Sequence, residues 1–313
     1  MRADNMKVDS TVHAALLKRL EKPTGIIDVV LDTDTYNEID DQFALAYLVK
    51  KSGKFNIKGI FAAPFFNQNS SGAADGMEKS YNEIFKVLSL MKRDDLKSVV
   101  CRGSDSFLSS ESEPVKSEAA TRLIELAEGY STEKPLYVIA IGAITNVASA
   151  LIMAPGIKDK IVVVWLGGHS FDWHDNTEFN LSQDVASARV IFGCGVPVVQ
   201  LPCMGVVSAF TTSGPELEHW LRGKNDLCNY LVDNTTRAAI EDGGLSTWTR
   251  VIWDVTAVAW LLDEKYTLDR IEPSPVPEYG HYYSFDDTRH PIRYIYHVHR
   301  DALFLDLFKT LAD

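Results

Sequence analysis

Cysteine is scarce in this sequence: Cys101, Cys194, Cys203 and Cys228 are the only four among 313 residues. None stands in a C-x-x-C pair or beside a histidine cluster, which argues against a disulfide framework or a thiolate metal site and for scattered reduced thiols. Positive charge is also in deficit. Lys and Arg number 31 against 43 Asp and Glu, a formal net charge of −12. No segment gathers Lys and Arg together with aromatics, so neither nucleic acid nor an anionic membrane surface is an expected partner. Long apolar runs are missing as well. The most apolar window, Leu136 to Ile157, is broken by Gly142, Thr145, Asn146 and Pro155, and it reads as a strand followed by a buried helix, not a membrane span. Near the first residue the only apolar run, Ala14 to Leu17, is too short for a secretory core. A cytoplasmic location is the expectation.

What the chain does have is a rhythm. Short β-branched runs (Ile26–Leu31, Ile57–Ala63, Ser98–Cys101, Leu136–Ile141, Ile161–Leu166, Val196–Leu201) alternate with amphipathic stretches (Asp40–Lys50, Met77–Met91, Val115–Gly129, Thr145–Met153, Asp184–Phe192). Strands separated by helix-length segments imply βαβ crossovers, hence an α/β fold with an open, mainly parallel sheet flanked by helices. The continuous apolar character of the runs agrees, since strands buried on both faces lose the in/out alternation. Val8 to Glu21 has helical spacing with Asp9 or Ser10 as cap, and residues 1–24 read as a helical appendage. Residues 205 to about 260 turn helical and aromatic, which predicts a helical flap over one edge of the sheet. No linker divides the chain, so residues 1–313 read as one domain.

Open parallel sheets bind ligands beyond the carboxyl ends of their strands. Directly after the first run comes Asp32-Thr33-Asp34-Thr35-Tyr36-Asn37-Glu38-Ile39-Asp40-Asp41, five carboxylates within ten residues. Helix capping accounts for one or two of them. Like charges this close raise one another's pKa unless a cation compensates. With oxygen donors alone on offer, a hard ion such as Ca²⁺ or Mg²⁺ is favoured over Zn²⁺.

These residues resemble the nucleoside hydrolases of the inosine-uridine-preferring type, whose signature after the first strand is D-x-D-P-G-x-D-D. Asp32-Thr33-Asp34 and Asp40-Asp41 match its two ends, while Thr35 to Ile39 is two residues longer and lacks the Pro-Gly turn. Further matches follow in order. Asn67 matches a substrate-contacting Asn, and Ile141-Gly142-Ala143-Ile144-Thr145-Asn146 is similar to T-G-P-L-T-N. Leu166-Gly167-Gly168 is similar to M-G-G beneath the ribose, Glu178-Phe179-Asn180 to the sugar-holding E-F-N, and Trp253-Asp254 to the H-D that opens a helix.

The resemblance implies Ca²⁺-dependent hydrolysis of a ribonucleoside by a homo-oligomer. Asp34, Asp41, Asp254 and the Ile141 carbonyl would hold the ion, and Asp40 would be the base that takes a proton from water. In extended geometry Glu178 and Asn180 face the same way, which would let both grip ribose while Phe179 packs inward. Trp253 stands where many members carry a proton-donating His. The purine-preferring branch is similar in carrying Trp there, which implies a stacking platform and a purine substrate. Trp248, Tyr36 and Phe66 are candidate second walls, and His169 and His174 candidate substitute acids.

Two other kinds of protein share part of this pattern. A haloacid-dehalogenase-type phosphatase also opens with a strand and D-x-D, but it needs Thr or Val where this chain has Tyr36. A non-catalytic nucleoside- or sugar-binding homologue would have no use for Asp40.

Overall fold

Ile-Asp-Val-Val-Leu-Asp-Thr, the first strand β1 (Ile27–Thr33), is buried at every position but Asp28. Val29 and Leu31 pack into one core cluster and Val30 into another. Alternate side chains of the strand therefore enter two different hydrophobic layers, one on each face of the sheet, and that is why its sequence lacks polar alternation. A computed structural model describes residues 14–241, 243 and 247–313 of the chain.

In chain order β1 is followed by α1 (Asp40–Lys50), β2 (Phe55–Ala62), α2 (Ala73–Leu90), β3 (Val100–Cys101), α3 (Glu118–Glu128), β4 (Leu136–Ala140) and α4 (Thr145–Met153). Next come β5 (Ile161–Leu166), α5 (Phe179–Gln183), α6 (Val185–Gly193) and β6 (Val198–Leu201). The expected third strand shrinks to two residues because Asp94–Val99 winds as a 3-10 turn.

Residues 205–260 carry β7 (Thr211–Ser213), α7 (Gly214–Trp220), α8 (Asp226–Glu241), β8 (Thr249–Val251) and α9 (Val255–Trp260). Besides helices this stretch holds an antiparallel ribbon of β7 with β8. The chain ends in β9 (Thr267–Pro273), β10 (Val276–Glu278), β11 (Tyr282–Ser284), β12 (Pro291–Val298) and α10 (Arg300–Ala312). None of these last elements is marked by an apolar run of the kind that announces β1 to β6. β9 carries Asp269, Arg270 and Glu272 and so offers no apolar run, as suits a strand at the sheet edge.

The main sheet has eight strands in the order β3-β2-β1-β4-β5-β6-β12-β9. Every pair is parallel except β12 with β9. From β1 the chain first builds outwards through β2 to β3, then returns to build through β4, β5 and β6 on the other side. The order reverses between β1 and β4, and a crevice opens there beyond the carboxyl ends of the strands. Of the expected N-terminal helix, residues 14–19 are helical; Val8 and its caps Asp9 and Ser10 lie outside the described residues. Among the described residues no helix is long and apolar enough to cross a membrane.

Candidate active site

The acids of the first loop arrive at this crevice because β1 and β4 run side by side. Asp32 is in register with Ala140, so Asp34, just past the end of β1, comes beside Gly142, just past the end of β4. Gly142 then turns the chain away. A side chain there would bring its Cβ within 3.0 Å of the Asp34 Cγ, so the absence of one makes room for the carboxylate. Asp40 and Asp41 open α1, and Asp254 stands at the start of α9, two helices that pack on the same face of the sheet.

Oxygens of Asp40, Asp41 and Asp254 all lie within 4.8 Å of one another, and all three residues are buried. The Thr33 hydroxyl donates to Asp41, and the Asp254 backbone N–H donates to Asp40 at 3.3 Å. Burial pushes Asp41 up to about 7, against the hydrogen bonds of Thr33 and Asp254 that pull it down. Asp40 is raised by burial and then by the charges of Glu38 and Asp41. Asp254 is raised by burial and by Asp40 and Asp41. Asp34 faces this group, with burial and the charges of Asp41 and Asp40 driving it upwards. Both of its carboxylate oxygens are buried without a hydrogen-bond partner among the described residues. Orphaned acceptors beside three further carboxylates are what a hard cation would satisfy, and an oxygen donor set suits Ca²⁺ or Mg²⁺. Asp32, the first acid of the motif, takes no part in the cluster. It accepts from the Asn146 amide at 2.7 Å, and so ties β1 to α4.

Beside the cluster lies a cavity of ≈ 210 Å³, walled by Asp40, Asp41, Ile141, Leu166, Glu178, Asn180, Trp253 and Asp254. Eight of the ten residues singled out from the sequence thus meet at one place. Asp34 lies behind the wall, and Asn67 is not brought to it. The Asn67 side chain instead donates to Asn37 at 2.5 Å, and Asn37 is the residue that reaches the cavity.

The segment at 178–180 differs from expectation. It is not extended: Glu178 caps α5, and Phe179 and Asn180 begin that helix. Phe179 consequently lines the cavity and does not pack inward. Glu178 accepts from the backbone N–H groups of Gly168 at 2.8 Å, Asn180 at 2.9 Å and Leu181 at 2.9 Å. Its carboxyl is raised by burial against those three bonds. The Asn180 amide donates to the carbonyls of Leu166 at 3.0 Å and Ile141 at 3.3 Å, which fixes two neighbouring strand ends.

Of the two histidines, His169 lines the cavity and His174 does not. His169 Nδ1 accepts from the Met204 backbone N–H at 3.3 Å, which leaves the proton of the neutral ring on Nε2. His174 is exposed and pairs with Asp175 at 2.8 Å. None of Tyr36, Phe66 and Trp248 walls this cavity. Sequence reasoning missed Asn37, Glu38, Thr177, Phe179, Cys203 and Met204 as cavity residues. Cys203 and Met204 follow β6 directly, so the strand-end rule could have found them.

Comparison with known proteins agrees with this geometry. The profile of the family described as "Inosine-uridine preferring nucleoside hydrolase" matches residues 29–304. The pyrimidine-specific ribonucleoside hydrolase RihA of Salmonella paratyphi B is 26% identical over 196 residues, which cover 55% of this chain and 59% of RihA. The match thus spans less than two thirds of that relative. A plant nucleoside hydrolase, PpNRh1, superposes with a TM-score of 0.73 at 16% identity, covering 93% of this chain and 99% of its own. A purine-preferring ribonucleoside hydrolase from Gardnerella vaginalis gives 0.73 at 19% identity, with 91% and 98% covered. At such identities the structures speak for the fold alone, and it is the profile, matched from the first strand to the last helix, that settles kinship: the chain belongs to the inosine-uridine preferring nucleoside hydrolase family.

Proposed function

We propose that the chain hydrolyses the N-glycosidic bond of a ribonucleoside, with Ca²⁺ as its metal and a preference for purines. The observation that carries this reading is the burial of four carboxylates, Asp34, Asp40, Asp41 and Asp254, at the switch point of the sheet. Four buried acids without a compensating cation are costly, and a fold retains such a group where chemistry uses it. Asp34, Asp41, Asp254 and the Ile141 carbonyl would hold the ion. The chemistry the ion supplies when bound is charge compensation and Lewis acidity.

The remaining services fall to side chains. Asp40, raised well above the usual carboxylate range by burial and by Glu38, is the base that takes a proton from the attacking water. Asn180 and Glu178 stiffen the strand ends under the sugar. Trp253 offers the departing base a stacking face, and the cavity-lining Phe179 adds a second ring. His169 in its neutral state can donate a hydrogen bond through Nε2–H, and only its imidazolium, which burial disfavours, would give the departing base a proton. The named relatives include a pyrimidine-specific and a purine-preferring enzyme; the wide face of Trp253 favours the purine. A homo-oligomer completes the reading, on the family resemblance alone.

The test is release of free base from inosine, guanosine, uridine and cytidine, with and without a chelator. Inosine or guanosine should be cleaved fastest, chelation should stop turnover, and Trp253→Ala should lower kcat more than it weakens binding. No base released from any of the four, or from a charged nucleoside derivative, with Ca²⁺ present would refute hydrolysis. Turnover unchanged by chelation would refute the metal. Faster uridine cleavage with Trp253→Ala harmless would refute stacking.

A further inference from the structure

A second cavity, of ≈ 320 Å³, adjoins the first, and the two share Asn37 and Glu38 in their walls. The acidic loop that is two residues longer than the family signature is therefore the partition between them. The chemistry on its two sides differs. Carboxylates dominate the first cavity, whereas Lys86 of α2, Arg237 of α8 and Arg250 of β8 converge on the second, in a chain whose net charge is −12. Glu38 and Glu241 also line it.

Two ion pairs stand at its wall. Arg237 meets Glu241 at 2.9 Å with side chains 61% and 60% exposed, and Lys86 meets Glu83 at 3.5 Å with its own side chain 52% exposed. The exposed Arg237–Glu241 pair contributes little and exchanges readily for a better anion, whereas the carboxylate that faces Lys86 is buried. Gln42 also belongs to this wall. It is 2% exposed and lines the cavity, and its Nε2 donates to the carbonyls of Thr35 at 2.7 Å and Glu38 at 3.4 Å. Its Oε1 is left buried without a partner among the described residues. Three cations at one wall suit a ligand group that carries anionic oxygens, and Arg250 is held in place there by the Ala238 carbonyl at 3.1 Å.

We propose that the second cavity is a subsite for an anionic substituent of the substrate, a phosphate or a carboxylate, so that the preferred ligand is a charged nucleoside derivative. The proposal rests on the hydrolase reading for what fills the first cavity. Two sources of the charge are possible, a 5′-phosphate on the sugar or a carboxylate on the base.

The test is calorimetric binding of inosine, inosine 5′-monophosphate and orotidine to the full chain with Ca²⁺ at low and moderate salt, beside base release from each. One of the two anions should bind at least about tenfold more tightly than inosine, the scale of a single charge-assisted contact, with a preference that weakens as salt rises. Preference for inosine 5′-monophosphate places the sugar's 5′ end in the second cavity, and preference for orotidine places the base there. The double variant Lys86→Ala, Arg237→Ala should bring the ratio close to unity. Both side chains are more than half exposed, so the variant is expected to fold, and Arg237→Gln alone should lower the ratio in the same direction. Inosine bound as tightly as either anion, or a ratio untouched by these variants, would overturn the subsite. Anions bound preferentially without base release would keep the subsite and sink the hydrolase reading. Inosine cleaved without any anion preference would do the reverse.

Discussion

Asp40 and Asp41 are neighbours in sequence with different partners. Asp41 accepts the Thr33 hydroxyl and shares a hydrogen bond with Asp254, which fixes it among the other acids. Asp40 accepts a backbone N–H and feels Glu38 most strongly after burial, and like Asp41 it lines the cavity. Successive positions on a helix point about 100° apart, so one can ligate while the other faces water. Asp40→Asn should therefore lower kcat by at least about a hundredfold, the scale of general-base loss, and leave Ca²⁺ binding in place. Steady-state kinetics beside calorimetry reads this directly; an effect confined to KM would reassign Asp40 to substrate binding. This pair was legible in the sequence because both acids sit where a strand hands over to a helix. Asn67 was misjudged for the converse reason. It lies in a loop, and nothing local says that its amide turns towards Asn37 and away from the cavity.

At the scale of elements, the short helix α5 is held by one side chain. Glu178 satisfies the first free N–H groups of that helix and also the Gly168 N–H after β5, so it clamps a turn and a helix start together. Glu178→Ala leaves three buried donors without an acceptor and should destabilise the protein by at least about 2 kcal/mol. Glu178→Gln, which keeps one side-chain acceptor, should cost less. Chemical denaturation of the two variants measures the difference, and an alanine variant as stable as the parent would remove the clamp from the account. The E-F-N triplet could not reveal this. Three residues are too few to show a helical period, and a carboxylate that caps looks in sequence like one that binds sugar.

For the whole molecule, the acid cluster draws on residues 34–41 and on Asp254, more than 200 positions apart, so ion binding and the fold are coupled. Burial raises Asp41 from 3.8 to about 7. A carboxyl raised on folding contributes stability that is fully present below its unfolded value of 3.8 and is lost as pH climbs through about 7. The ion-free protein should thus lose stability across that window. Ca²⁺ requires the ionised acids, so its binding should strengthen as pH rises through about 7. The gain in Tm on adding Ca²⁺ should consequently be larger at pH ~8 than at pH ~5.5. Thermal unfolding at both pH values checks it; equal gains would mean that these carboxylates are not the ligands.

The sequence by itself determined the alternation of strands and helices, the parallel character of the sheet, and the acids, glycines and Trp253-Asp254 that stand at strand ends or helix starts. Those features are local: an apolar run, its length, and the residue that follows it carry the information. Only the tertiary structure decided which ends share a crevice. The reversal of strand order between β1 and β4 brings Asp34 to Gly142, and the packing of α9 beside α1 brings Asp254 to Asp40 and Asp41. The same long-range contacts put His169 in the cavity and His174 outside it, turned Phe179 towards the cavity, and opened a basic chamber behind the lengthened acidic loop. Side chains from elements far apart in the chain meet there, and spacing along the sequence carries no record of such meetings.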